Sequence, residues 1–375
     1  MNDWYCPLPF KHVFVDSTGV AVCCKTPRQS IDLDQWVSSG YVKNIQQQML
    51  AGKIPVICQE CVSEEKMTGR SLRTDSQQDY NHQRFTDTDI DFVDYRSNNI
   101  CNFKCRSCSP TFSHGINNET KNNLILQNFY KPVDKKIVKI NDANTKWISE
   151  NLKQIKRLMV TGGEPTRMPE IKSIIEQIVY DKLDVQILIT TNGSFEDDFW
   201  YELTRLHDKL HWTVSLDAVG SAAEIIRHGT NWKIVEQNAR WLASHAASMN
   251  INTTITHLNV MHLAPLLKFV KEIQRESIYP RGRHGDQGLR HQFIVTQFPS
   301  HLSVNCLPPD LKALARDHLI SCLAMDLDAE QKQTIQGLKQ HLEQVAFDSY
   351  QWQQSLEFNQ ELDSIRGENY MELYD

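Results

Sequence analysis

Residues 90–108 read Ile90-Asp91-Phe92-Val93-Asp94-Tyr95-Arg96-Ser97-Asn98-Asn99-Ile100-Cys101-Asn102-Phe103-Lys104-Cys105-Arg106-Ser107-Cys108. The alternating run from Ile90 to Tyr95 predicts a strand. The loop after it carries three cysteines, with gaps of three and two residues between them. Three thiolates on one tight loop can hold an iron–sulfur cluster, but a four-iron cluster needs a fourth ligand. The loop offers none, so one iron is left open to a substrate or cofactor.

Beyond residue 90 strands alternate with helices. Strand candidates are 90–96, 157–160, 185–190, 211–216, 251–256 and 291–296. Between them Ile171, Ile174, Ile175 and Ile178 recur at helical steps, as do Leu263, Leu266, Leu267 and Val270. Such alternation argues for parallel strands joined by right-handed crossovers. The predicted fold class is α/β, a partial (β/α)6 TIM-like barrel whose ligand sites gather at the strand C-terminal ends. It is flanked by a small N-terminal cysteine-rich module and a helical C-terminal extension. The expected boundaries are 1–66 for the cysteine-rich module, 67–89 for a solvated linker with Arg70 and Arg73, 90–304 for the barrel and 305–375 for the extension. Helices are predicted over about 33–50, 309–321, 329–346 and 350–365.

Composition is ordinary for a globular protein, with 40% hydrophobic and 23% charged residues. A formal charge of −6 gives no pull toward nucleic acid, and no basic run interleaved with aromatics is present. No apolar run reaches bilayer length, and Met1-Asn2-Asp3-Trp4 reads as no export signal, so a cytoplasmic chain is expected without a membrane partner. Ten cysteines in a reducing compartment then call for a reason other than disulfides. Cys6, Cys23, Cys24, Cys58 and Cys61 fall early, three form the central loop, and Cys306 and Cys322 stand alone as expected inert thiols. A hairpin from His12 to Cys23 returns Cys23 and Cys24 toward Cys6. With Cys58 and Cys61 this gives a four-thiolate site, since neighbouring strand residues face opposite ways and only one of the pair reaches the metal. Ligand count alone fits zinc and iron–sulfur equally.

Each predicted strand end carries a polar motif. The second runs into Thr161-Gly162-Gly163-Glu164-Pro165, where two glycines permit close backbone approach and Glu164 can accept from an ammonium. Alone it is equally a strand-to-helix turn. The third ends Thr191-Asn192-Gly193. The fourth places Ser215 and Asp217 on one face, suited to ribose hydroxyls or merely to a helix N-cap. Arg227 follows as a bidentate carboxylate binder or a solvated surface arginine.

Together, a cluster loop, an amine binder, a ribose binder and a carboxylate binder are what S-adenosylmethionine requires. The chain resembles the radical S-adenosylmethionine superfamily over about 90–300, through Cys101/Cys105/Cys108, Gly162-Gly163-Glu164-Pro165, Ser215-Leu216-Asp217 and Arg227. It departs at Ser107, where many members have an aromatic residue and the backbone contacts adenine; Phe103 offers apolar cover nearby. The resemblance implies a [4Fe-4S] cluster on Cys101, Cys105 and Cys108 and S-adenosylmethionine held by Gly162, Gly163, Glu164, Asn192, Ser215, Asp217 and Arg227. The early cysteines are similar to twitch or SPASM auxiliary-cluster modules, placed before the barrel. That likeness implies a second [4Fe-4S] cluster on Cys6, Cys24, Cys58 and Cys61, with Cys24 rather than Cys23 as ligand. It further implies a peptide or protein substrate and a reductant such as flavodoxin or ferredoxin. The alternatives are a small-molecule or nucleoside substrate, and a non-enzymatic zinc or iron–sulfur scaffold.

Overall fold

The structure is a computed structural model and describes residues 4–68, 70–133, 142–277 and 289–374. The strands within them are β1 (His12–Asp16), β2 (Gly19–Ala21), β3 (Phe92–Tyr95), β4 (Lys104–Cys105), β5 (Arg157–Val160), β6 (Gln186–Thr191), β7 (Leu210–Ser215), β8 (Arg227–His228), β9 (Ser248–Ile255) and β10 (Arg290–Val295). Eight follow the order β10-β9-β7-β6-β5-β3-β1-β2, and β4 pairs with β8. The six strands expected from the alternation all form, in sequential order, as a parallel α/β sheet. β6 and β9 bury every second residue, which is the period that a strand with two different faces imposes. The isoleucine stripe of helix Pro169–Tyr180 is buried as the 3.6-residue repeat predicts.

The chain divides into two compact units: residues 1–98 with 138–188, and residues 99–137 with 189–375. In the first, β1 pairs antiparallel with β2 and parallel with β3, His12 lying opposite Phe92. The hairpin thus continues the parallel strands, and its first strand is buried on both faces, as interior parallel strands are. The stretch expected as a solvated linker contains the helix Leu72–Asp79, started by a capping box between Ser71 and Thr74. Its low apolar content hid it, because capping rather than an apolar stripe defines its start. The single helix expected over 33–50 is two, Leu33–Ser38 and Gly40–Leu50, divided at Ser39, whose hydroxyl caps the second.

In the second unit the helices Pro309–Leu323, Ala329–Gln344 and Ser349–Arg366 cover the barrel strands. Leu319, Cys322, Ile335, Leu338 and Leu342 share a core with Ile255, Val260 and Leu263. Phe358, Leu362, Tyr370 and Leu373 share another with Ala222, Ala223, Ile226 and Leu258. Among the described residues, no helix is long and apolar enough to cross a membrane.

Three histidines of this unit are buried: His257, His291 and His301. Burial pulls the first two down to about 3 and the third to about 4, with the charges of His301 and Arg106 adding to the effect at His257. Each stays neutral in the fold but protonates near 6.5 once unfolded, so acid favours the unfolded chain. Stability from these groups is whole above about pH 6.5 and is lost as pH falls toward 4 for His301 and toward 3 for His257 and His291. Between pH 6.5 and 5 each removes about 2 kcal/mol, from 1.36 kcal/mol per pH unit. Thermal unfolding of the metal-free chain should therefore begin at markedly lower temperature at pH 5 than at pH 7, and His291→Gln should flatten that dependence. A pH-independent midpoint contradicts this account.

Candidate functional site

The cysteine loop follows β3. Asn102 and Phe103 lead from Cys101 into β4, where Cys105 lies opposite Arg227 and Lys104 opposite His228. The loop is held by several contacts. The Phe103 amide donates to Cys101 Sγ at 3.4 Å, the Cys101 amide to His114 Nδ1 at 3.2 Å, and Ser113 Oγ to Phe103 O at 2.9 Å. Gly229 comes so near that a Cβ there would stand 2.8 Å from Asn102 O, and its φ of +99° suits glycine alone. Cys105 is buried, Cys101 and Cys108 partly so, and none is in a disulfide. Burial pushes Cys108 up to about 12, helped by the nearby Cys105 thiolate.

Arg227 is the cation of this group. Its Nη1 donates to Asp217 Oδ2 at 2.8 Å, with 14% and 2% of the two side chains exposed. Burial works against its charge, but Cys105 and Asp217 more than compensate and hold it protonated. Arg227 Nε is buried without an acceptor, and so is the Tyr130 hydroxyl. The charge of Cys108 bears on that phenol, which burial has already raised. Buried donors beside thiols and lacking acceptors fit an anionic cluster with its bound ligand. Tyr130 was missed in the sequence because nothing in its neighbourhood there carries a motif.

Two expected ligand-contacting residues are turned to other partners. Asp217 accepts from Arg227 at Oδ2 and from the Thr254 amide at Oδ1 at 2.9 Å, and its side chain is buried. Asn192 donates to Asn102 Oδ1 at 3.0 Å and accepts from Ser194 N and Oγ, so it braces the cysteine loop. Ser215 keeps its half-buried position, and beside it in register is Asn252, whose Oδ1 is buried with no partner. Asn252 is an acceptor the sequence did not reveal, since an asparagine inside an alternating strand reads simply as its polar face.

In the first unit, Gly162 and Gly163 have φ of +77° and +47°. A Cβ on Gly162 would stand 3.2 Å from Arg96 Cβ. Glu164 is fully buried and accepts from Thr166 N at 3.2 Å and Thr166 Oγ1 at 2.6 Å.

The same unit holds the early cysteines. Cys6, Cys23, Cys58 and Cys61 line one cleft, together with Trp4, Met49 and Arg73. Burial raises Cys6, Cys23 and Cys58 to about 12, and each feels others of the four as like charges. Cys24, expected as the fourth ligand, is not among the residues lining this cleft, and Asp94, Arg96, Lys25 and Arg28 bear on its charge. The pair lies past the end of β2, where Thr26 bonds Cys23 through both its amide and its hydroxyl. That turn, not strand alternation, directs Cys23 inward. Arg73 and Ser76 of the supposed linker also belong here, through the Arg73–Glu65 pair at 2.5 Å and Ser76 Oγ 3.7 Å from Cys6 Sγ. A cationic metal centre bound among these four thiols would deprotonate and pair them. Among the described residues no three Cys, His, Asp or Glu side chains stand close enough to share one metal ion.

Residues 95–270 match the family model of the radical SAM superfamily. Over that stretch, a little under half of the chain, it is similar to this superfamily, whose members use a [4Fe-4S] cluster and S-adenosylmethionine. No curated protein matches the chain. Among solved structures it is similar to native anSMEcpe with bound AdoMet and Cp18Cys peptide, at 17% identity over 60% of this chain and 56% of that one, with a TM-score of 0.38. It is similar also to Streptococcus suis SuiB bound to S-adenosylmethionine, at 14% identity over 78% and 56%, with a TM-score of 0.39. The chain spans little more than half the length of either.

Cys306 and Cys322 lie in none of these groups and are fully buried, which raises them to about 12 and about 11. The thiolate is the reactive species. At pH 8 iodoacetamide should leave both unmodified in the native chain and label them in urea, as read by peptide mass spectrometry. Rapid native labelling of either contradicts their burial.

Proposed function

We propose that this protein is a radical SAM enzyme that reductively cleaves S-adenosylmethionine and abstracts hydrogen from a peptide or protein substrate. The observation that carries the reading is the buried Arg227–Asp217 pair next to Cys105, at the mouth of a three-cysteine loop. Cys101, Cys105 and Cys108 would hold a [4Fe-4S] cluster, leaving one iron for the amine and carboxylate of S-adenosylmethionine. When bound, these cofactors supply a 5′-deoxyadenosyl radical after one-electron reduction.

The protein's part is to bind and orient. Glu164, with the Gly162 and Gly163 backbone, takes the amine. Arg227 takes the carboxylate, pointed by Asp217, whose own oxygens are already occupied. Ser215 with Asn252 receives the ribose, and Asn192 keeps the loop in place through Asn102.

Cys6, Cys23, Cys58 and Cys61 would hold a second [4Fe-4S] cluster. Four thiolates leave it no open iron, which favours an electron-relay role over direct substrate binding. A flavodoxin or ferredoxin is the proposed reductant. The peptide or protein substrate rests on the likeness of the cysteine module to auxiliary-cluster modules of peptide-modifying enzymes.

Anaerobically reconstituted protein should hold about eight irons per chain, as two four-iron clusters require. Cys23→Ala should lose about half of them and Cys24→Ala none. Cys105→Ala should abolish 5′-deoxyadenosine, whereas Cys61→Ala should keep partial cleavage yet give no modified peptide by mass spectrometry. Undiminished S-adenosylmethionine cleavage by the Cys105 variant would sink the assignment.

A further inference from the structure

Arg106 lies between two proposed cluster ligands, Cys105 and Cys108, yet its side chain is turned wholly inward and is 0% exposed. A guanidinium has five N–H donors in a rigid fork, and here each has an acceptor. Nε donates to Ile225 O at 3.2 Å. Nη1 donates to Asn359 O and Oδ1, both at 3.2 Å. Nη2 donates to Asp363 Oδ1 and to Glu368 Oε2, the latter at 2.7 Å. Four of the five acceptors belong to residues 359–368, more than 250 positions along the chain.

The second oxygen of Glu368 meets His228 Nδ1, and His228 lies opposite Lys104 in the β4–β8 ribbon. One carboxylate therefore ties the residue after β4 to the second strand of the ribbon. That ribbon carries both Cys105 and Arg227. A second tie runs from Arg366 Nη2 to Glu119 Oε2 at 2.8 Å and from Lys104 Nζ to Glu119 Oε1 at 2.5 Å. Gly367, at φ +66°, ends the helix and lets the chain fold back. The Tyr370 amide then donates to Asp363 Oδ2 at 2.9 Å, and Tyr370 and Leu373 enter the core that holds Ile226.

We infer that residues 349–374 form a latch that sets the geometry of the cysteine loop and of Arg227, with Arg106 and Glu368 as positioning residues. The inference rests on the reading of Cys101–Cys108 as the cluster loop. A segment serving only to cover the barrel needs apolar burial, which Phe358, Leu362, Tyr370 and Leu373 already supply. Burying a guanidinium and two carboxylates as well adds a desolvation cost that apolar residues avoid. What such a fork adds is direction, since it fixes its partners in angle as well as distance. A ligand loop held in angle fixes where the open iron faces, and second-layer contacts of this kind tune metal sites.

The test uses the full chain with Glu368→Gln, which keeps size and shape but loses the charge. In the metal-free protein, hydrogen exchange at the Arg106 and Cys108 amides, which donate to Ile226 O and Cys105 O, should rise about tenfold. In the reconstituted protein, the S-adenosylmethionine concentration that half-shifts the electron paramagnetic resonance signal of the reduced cluster should rise about tenfold, a loss of about 1.4 kcal/mol. Wild-type exchange overturns the latch. Faster exchange with an unchanged titration overturns it too, because the segment then only stabilises the fold. If Glu368→Gln does not accumulate as folded protein, Asp363→Asn supplies both readings from the other carboxylate. A wild-type chain that takes up no iron through Cys101, Cys105 and Cys108 overturns the reading of the loop instead, while exchange in the metal-free chain still decides the latch.

Discussion

The β4–β8 ribbon is only two residues wide on each side, and the candidate site of the second unit depends on it. Cys105 and Arg227 are partners across it, so the proposed cluster and the proposed carboxylate binder share one set of backbone hydrogen bonds. So short a ribbon is marginal by itself. It is held from outside: Asn192 braces the loop before it, Asp217 fixes Arg227, and Glu119 and Glu368 grip its Lys104–His228 end.

Charge burial has one logic throughout. Arg227 stays charged in a dry setting because Cys105 and Asp217 lie beside it and outweigh the effect of burial. Glu119 is likewise buried, which opposes its charge, yet Arg366 and Lys104 pull it below the usual carboxylate range. Glu368 follows the same pattern, with burial outweighed by His228 and Arg106. Buried ions of this kind are weak sources of net stability but strong constraints on geometry. The proposed radical reaction would need such constraint, because a mis-set cofactor exposes the intermediate to the wrong bond.

The parallel α/β architecture was plain from periodicity, since Ile171 to Ile178 and the alternating strands leave little choice of buried face. The three-cysteine loop was equally plain, because its ligands are neighbours in the chain. What periodicity cannot reveal is which polar atoms are already satisfied. Asp217 and Ser215 share a face in the sequence, yet only the packing of Thr254 and Arg227 decides that the carboxylate is occupied. Helix Leu72–Asp79 was hidden for a related reason: its start is capped by side chains, and no apolar stripe advertises it.

The sequence by itself determined the order of strands, the cysteine triplet and the early thiols, because these follow from local spacing and from the repeat of helix and strand. Only the tertiary structure lines one cleft with Cys23 rather than Cys24, beside a turn closed by Thr26. It alone brought Asn252 beside Ser215 and residues 359–368 around Arg106. Those choices depend on contacts between distant residues, and a linear pattern carries no term for which distant atom satisfies a buried charge. The cysteine loop is local in origin, but the direction in which it faces is set from the far end of the chain.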